Sequence, residues 1–190
     1  SGFIVRSEKV GDEWRNIVLS CAHNFRNGHD YYLEIGEYED WSVLKKVHKY
    51  DCKVVTTAPK YDLAVVVFTS QTKMPVAELG FDEKLYIGTK VFKFGHGFLD
   101  PCRLDRGEIS WLPGSVVGKD ALRTNAFTVP GDSGGPLFKD YKVIGVVNSI
   151  RAFGGKMMPQ VSYSVPIGHL KKWDEEQKSS LGWVYTTKPM

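Results

Sequence analysis

The chain has 190 residues, of which 42% are hydrophobic and 25% are charged, and its formal net charge is +3 at pH 7. This length supports a full core in one domain, and this composition excludes disordered, coiled-coil and collagen-like chains. The longest apolar run, Leu63 to Phe68, is far shorter than the roughly 20 residues of a membrane-spanning helix, so we expect no membrane segment. Acidic residues interrupt the basic ones throughout, which argues against nucleic acid as a partner.

The three cysteines, Cys21, Cys52 and Cys102, are an odd number at wide spacings. They therefore define neither a disulfide framework nor a zinc knuckle. His96 and Cys102 are close in sequence, but no tetrahedral ligand set completes them, so we expect no metal. The first residues lack a signal-peptide pattern. Together these features predict an intracellular location.

Short runs of β-branched and aromatic residues recur at intervals of about 8 to 15 residues, separated by Gly, Pro and Asp turns. They predict strands over residues 3–6, 15–20, 30–35, 53–57, 63–68, 85–94, 107–111, 121–128, 141–150 and 160–165. This rhythm is typical of an all-β protein.

The strands fall into two halves joined by a turn-rich connection over residues 69–84. We predict two small antiparallel β-barrels, over about 1–70 and 85–166. From residue 167, apolar residues recur at helical spacing among charged ones, which predicts a C-terminal helix over about 167–178 and a tail over 181–190. Residues 1–180 would thus form a single domain.

The turn Gly131-Asp132-Ser133-Gly134-Gly135-Pro136 carries the strongest chemical signal in the sequence. Glycines allow backbone angles that other residues avoid, so the turn can present a serine hydroxyl together with main-chain N–H groups. The amides of Gly131 and Ser133 would converge on a substrate carbonyl oxygen, where negative charge grows in the transition state. The turn therefore predicts a nucleophile, Ser133, beside an oxyanion hole. A hairpin turn that merely contains serine is the alternative.

Serine needs a base at neutral pH, and His23 is our candidate. It follows the apolar strand over residues 17–19, which would place its ring at a barrel rim. Imidazole, with an ordinary pKa of about 6.5, can accept the hydroxyl proton and return it to a leaving amine. No apolar strand of this kind precedes the other histidines, which are His29, His48, His96 and His169.

Asp62 is the candidate acid that would hold His23 in its productive tautomer. It directly precedes the apolar run that starts at Leu63. A strand that is apolar on both faces is buried, so a carboxylate at its start needs a partner, and an N–H of His23 would satisfy it. A turn or cap role for Asp62 is the alternative. Asp40 and Asp51 are rivals, but each lies in a polar neighbourhood.

The order of these residues separates two serine-hydrolase folds. Residues 131–135 also fit the G-x-S-x-G pattern of an α/β-hydrolase, in which serine comes first and histidine last. Here the order is His23, Asp62, Ser133, which is the chymotrypsin order.

On these motifs the chain resembles the chymotrypsin-like (trypsin-like) serine protease superfamily. The matching segments are residues 1–5, 19–23, 61–64 and 131–136. In having few cysteines, the chain is similar to members of the compact, disulfide-poor branch, which includes HtrA-like and viral polyprotein-processing enzymes. The resemblance implies two six-stranded barrels with the active site between them. It also implies a serine endopeptidase that acts on peptides or proteins without a cofactor.

In zymogen-activated relatives, the amino terminus of an Ile-Val-Gly-Gly sequence pairs with the aspartate that precedes the serine. The present sequence has Asp132 at that position but does not begin with Ile-Val-Gly-Gly. Asp132 therefore needs another partner, or the site is preset. Viral polyprotein processing, in the host cytoplasm, is one hypothesis for the biological role. A catalytically silent double-barrel module that binds peptide or RNA is the alternative from another class, and an esterase or acyl transferase with the same three residues is a third.

The resemblance also implies a primary specificity pocket. In the superfamily the residue six positions before the serine lies at the pocket base, and here it is Phe127. An unpaired ammonium would be costly there, so we expect an uncharged primary side chain. The segment 148–150 should pair with an extended substrate. The other residues expected near the pocket are Thr128, Val147, Asn148, Ser149 and Gln160.

Overall fold

A computed structural model describes residues 1–25, 30–39, 43–99, 102–114, 120–177 and 181–185. Its N-terminal module is one antiparallel sheet in the order β1-β2-β5-β4-β3. The strands are β1 (Phe3–Val10), β2 (Glu13–Ser20), β3 (Tyr31–Glu39), β4 (Val43–Ala58) and β5 (Leu63–Ser70). The central strand β5 begins with four buried residues, Leu63 to Val66, which explains its continuous apolar run.

The C-terminal module is a closed barrel of six strands in the order β10-β7-β8-β9-β12-β11, with β10 paired to β11. A short strand, β6, adds to β11 in parallel. The strands are β6 (Glu78–Leu79), β7 (Lys90–Gly95), β8 (Arg103–Trp111), β9 (Leu122–Thr124), β10 (Pro136–Lys139), β11 (Lys142–Phe153) and β12 (Lys156–Pro166).

Two helices follow the barrel, α1 (His169–Gln177) and α2 (Gly182–Tyr185). In α1, Leu170 and Trp173 are buried while the interleaved charged residues are largely exposed, as the helical spacing predicts. Leu170, Trp173 and Val184 of the two helices belong to one buried cluster with side chains of both modules. The helices therefore help to fix one module against the other.

The prediction of an all-β protein with two antiparallel β-barrels and a short C-terminal helix is confirmed at the level of the fold, with one closed six-stranded barrel and a second antiparallel sheet. The described part of the N-terminal module has five strands, where the prediction has six. None of the helices in the described ranges has the length and apolar character that a membrane crossing requires.

The ends of individual strands differ from the predicted ends where a turn adjoins the strand. The strand predicted over 85–94 starts only at Lys90, because Gly88 adopts a φ of 86° in a turn. The strand predicted over 121–128 ends at Thr124, and the following residues lead into the loop before Ser133. Strand β10 is only four residues long and follows the glycine-rich turn directly, where the sequence after Ser133 is strand-like.

Candidate active site

Asp62 lies in a tight turn between β4 and β5. The amides of Tyr61 and Asp62 donate to the carbonyl oxygens of Ala58 and Pro59, at 3.0 and 3.2 Å. Asp62 has a φ of 53°, which is unusual for a residue with a side chain. Its carbonyl oxygen accepts a hydrogen bond from the amide of Ala22 at 3.2 Å. The turn is thereby fixed against the segment that carries His23.

His23 lies in a short 3-10 turn, Ala22–Asn24, just after β2. Its Nδ1 is 2.6 Å from Oδ2 of Asp62, and its main-chain N–H donates to Oδ1 of Asp62 at 2.8 Å. A carboxylate can only accept, so this contact selects the tautomer with the proton on Nδ1. The other ring nitrogen, Nε2, then carries a lone pair. Asp62 is less buried than we expected, since 24% of its side chain is exposed.

Ser133 lies in the loop before β10 and is connected to Asp62 through Asn148 of β11. The Ser133 hydroxyl donates to the main-chain oxygen of Asn148 at 2.8 Å. The side-chain amide of Asn148 donates to Oδ2 of Asp62. Asn148 was predicted only as a pocket residue, because a sequence does not show that its amide reaches an acid 86 positions earlier.

The structure thus brings His23, Asp62, Asn148 and Ser133 into one network across the two modules. Within the described contacts, the Ser133 hydroxyl is directed to Asn148 and not to the ring of His23. Catalytic hydrogen bonds are often unformed in a free enzyme and tighten when substrate binds.

The turn before Ser133 leaves two amides available. Neither Gly131 nor Ser133 donates its main-chain N–H to an acceptor within the described part of the chain. Gly131 has a φ of 101°, and a Cβ there would lie 2.6 Å from the carbonyl oxygen of His96. Only glycine fits this position, which keeps the turn in a conformation with two unused donors.

Asn24 is a site residue that sequence reasoning missed. Its side-chain amide donates to the carbonyl oxygen of Ser133 at 2.9 Å and to the hydroxyl of Ser20 at 3.1 Å. It therefore ties the serine loop to the turn that carries His23. Its position directly after His23 was the only signal in the sequence.

Cys21 brings a thiol close to His23 and Asp62. One potential ligand atom from each of the three residues lies within 4.8 Å of the others. Burial, followed by the negative charge of Asp62, raises the pKa of the Cys21 thiol to about 12. The thiol donates to the carbonyl oxygen of Val147 at 3.2 Å. A protonated, buried thiol is a poor metal ligand and a poor nucleophile.

The predicted pocket residues differ in accessibility. Thr128 and Val147 are buried, and the hydroxyl of Thr128 donates to the carbonyl oxygen of Ala126 at 3.1 Å. Phe127 is 41% exposed, and the guanidinium of Arg103 lies 5.4 Å from its ring centre. The remaining three are more accessible: Asn148 and Ser149 are half-buried and Gln160 is exposed.

The chain combines a double-module β fold with this network of serine, histidine and acid. It is also similar to known peptidases in sequence. Residues 1–146 match the trypsin-like peptidase domain family. The chain therefore belongs to this family, and its predicted membership of the trypsin-like serine protease superfamily is confirmed.

Curated relatives extend the similarity over most of the chain. Serine protease HTRA1 of Xenopus laevis is 28% identical over 184 residues, which cover 93% of this chain and 35% of the relative. A probable periplasmic serine endoprotease DegP-like of Pseudomonas putida (strain GB-1) is 31% identical over 196 residues, 97% of this chain and 36% of the relative. Putative protease Do-like 14 of Arabidopsis thaliana is 29% identical over 178 residues, 86% of this chain and 39% of the relative. The chain thus spans little more than a third of the length of these relatives.

Proposed function

We propose that this chain is a serine endopeptidase in which Ser133 is the nucleophile, His23 the general base and Asp62 the residue that orients His23. The observation that carries the proposal is the double contact of Asp62 with His23, at 2.6 Å to Nδ1 and 2.8 Å to the main-chain nitrogen. This contact fixes the ring and leaves Nε2 as a proton acceptor. The family match supports the same activity.

The reaction would proceed through an acyl-enzyme. Oγ of Ser133 attacks the carbonyl carbon of the scissile bond while Nε2 of His23 takes the hydroxyl proton. His23 then gives that proton to the amine as the carbon–nitrogen bond breaks. Water, activated by His23, releases the second product. The free amides of Gly131 and Ser133 would stabilise the negative oxygen in both steps.

This mechanism requires one local change on substrate binding. The Ser133 hydroxyl must leave the main-chain oxygen of Asn148 and turn towards His23. A substrate that pairs with β11 supplies a reason, because its main-chain N–H would take over the Asn148 oxygen as acceptor. Asn148 would still hold Asp62 through its side-chain amide.

The proposed substrate is an extended peptide with an uncharged primary side chain. Phe127 supplies no negative charge to pair with a substrate lysine or arginine, and the nearby guanidinium of Arg103 is already paired with Asp105 and Asp132. After Val147, strand β11 pairs with β12 along one edge, and no strand among the described residues pairs with its other edge. A substrate strand could add to that second edge. Polyprotein processing and an intracellular location stay predictions, and the Pseudomonas relative carries the name periplasmic.

The test is cleavage of a peptide library by wild-type protein and by Ser133→Ala, with every product mapped by mass spectrometry. We expect wild type to cut after uncharged residues, and Ser133→Ala to lose on the order of 10⁶ in kcat. Peptide binding without hydrolysis by folded wild-type protein would overturn the proposal in favour of a silent binding module. Cleavage after lysine or arginine would overturn the assignment of the pocket.

A further inference from the structure

Lys93 is a charged residue on the inward face of a barrel strand. In β7 the buried positions alternate as Val91, Lys93 and Gly95, and only 1% of the Lys93 side chain is exposed. Its Nζ lies 2.7 Å from Oδ2 of Asp132, whose side chain is fully buried. Removing two charges from water is costly, so a buried pair is weak evidence for stability and calls for another role.

Asp132 holds the loop that carries the proposed nucleophile. Its Oδ2 accepts the amide of Val129 at 2.9 Å, and its own amide donates to the carbonyl oxygen of Val129 at 3.1 Å. Its carbonyl oxygen accepts the amide of Gly135 at 3.0 Å. Gly131 and Ser133, which carry the two available amides, lie immediately on either side of Asp132. Any movement of this carboxylate would therefore move both donors.

The strand β7 is shaped to receive the carboxylate. A Cβ at Gly95 would lie 2.3 Å from Oδ1 of Asp132, so only glycine leaves room there. Oδ1 is buried and has no hydrogen-bond partner within the described residues. The charge of Asp132 is thus offset mainly at Oδ2, by Lys93 and at 3.3 Å by Arg103.

Lys93 is itself held in place by a second acid. Its Nζ lies 3.1 Å from Asp105 on the neighbouring strand β8, which also pairs with Arg103 at 2.7 Å. Among the described residues, the side chains of Lys93, Arg103, Asp105 and Asp132 therefore form one network of ion pairs beneath the serine loop. Lys93 is the more buried cation and the closer one to Asp132, since 30% of the Arg103 side chain is exposed.

We propose that Lys93 is a positioning residue for the oxyanion hole: by fixing Asp132, it holds the Gly131 and Ser133 amides in place before substrate arrives. This inference rests on the proposed function and names an internal cation that presets the site. Hydrogen-bond donors that are fixed in advance stabilise the transition state more than they stabilise the bound substrate. Loss of Lys93 should therefore lower kcat. Lys93 acts through Asp132 and touches no substrate.

The test compares Lys93→Met with Val91→Ala, a control on the same strand and the same face that has no contact with Asp132 among the described contacts. We expect Lys93→Met to lower kcat about 10²- to 10³-fold, as loss of an oxyanion donor does, with KM changed less than about threefold. Val91→Ala should lower the melting temperature and leave kcat near the wild-type value. Wild-type kcat in folded Lys93→Met, or an equal loss of kcat in the control, would overturn the proposal.

Two further measurements cover the remaining outcomes. If Lys93→Met does not fold, the double variant Lys93→Met/Asp132→Asn replaces it, because this variant removes both buried charges. The double variant should fold and show a lowered kcat. A wild-type kcat in the double variant would overturn the proposal. If wild-type protein hydrolyses no peptide, the proposed function fails, but amide hydrogen exchange still tests Lys93. Faster exchange over residues 129–135 in Lys93→Met than in Val91→Ala supports the positioning role, and equal exchange contradicts it.

Discussion

Two potential nucleophiles lie near the proposed catalytic base, the hydroxyl of Ser133 and the thiol of Cys21. The thiol is fully buried, and its carbonyl partner Val147 is part of the barrel. Burial, followed by the negative charge of Asp62, raises its pKa to about 12. At pH 7 only about one thiol in 10⁵ would be ionised at such a pKa. The chemistry therefore favours serine.

We accordingly expect Cys21→Ala to keep kcat within about threefold of wild type. The substitution removes a hydrogen bond and some buried volume, so its main cost falls on stability. Peptide hydrolysis, measured beside Ser133→Ala, checks this expectation. A loss of activity in Cys21→Ala as large as that in Ser133→Ala would identify the thiol as the nucleophile.

At the scale of elements, the contact between α1 and the turn before β5 places a histidine close to the proposed site. The ring of His169 lies 5.1 Å from that of Tyr61, which directly precedes Asp62. Its Nε2 lies 2.8 Å from Oδ2 of Asp120. Burial lowers the pKa of His169, and Lys172 adds to this, while Asp120 offsets it in part.

The lowered pKa predicts that α1 packs less stably in acid. The unfolded chain binds a proton at His169 near its ordinary pKa of about 6.5, whereas the folded chain binds it only at lower pH. Stability at this site is therefore lost as the pH falls from about 7 through the ordinary histidine pKa and below it. We expect the free energy of unfolding to fall less over this range in His169→Gln than in wild type, as measured by urea denaturation. Equal pH dependence in the two proteins would contradict this account.

Sequence patterns predicted elements well where one periodicity governed a segment. The run from Leu63 to Val66 predicted a buried strand, and the helical spacing of Leu170 and Trp173 predicted α1. Lys93 was beyond reach, because a lysine in a short strand is normally read as solvent-exposed. Its burial depends on Asp132, which is 39 positions away and comes close only when the barrel closes.

At the scale of the whole molecule, the proposed site exists only because two modules meet. His23 and Asp62 lie in turns of the N-terminal module, whereas Ser133 and Asn148 lie in a loop and a strand of the C-terminal module. The sequence predicted the three catalytic candidates from motifs and their order. It could not show that Asn148 and Asn24 bridge the modules, since such contacts depend on how the two sheets pack. The catalytic roles themselves stay predictions.

The central claim is that His23 activates Ser133, and reaction with a fluorophosphonate tests it most directly, because the reagent labels only an activated serine. We expect wild-type protein to gain one adduct, mapped to Ser133, and His23→Ala to react about 10²- to 10⁴-fold more slowly. His48→Ala is the matched control and should react at the wild-type rate, because His48 pairs with Glu37 on the β3–β4 ribbon. Folded wild-type protein that gains no adduct, or equal labelling of wild type and His23→Ala, would contradict the claim.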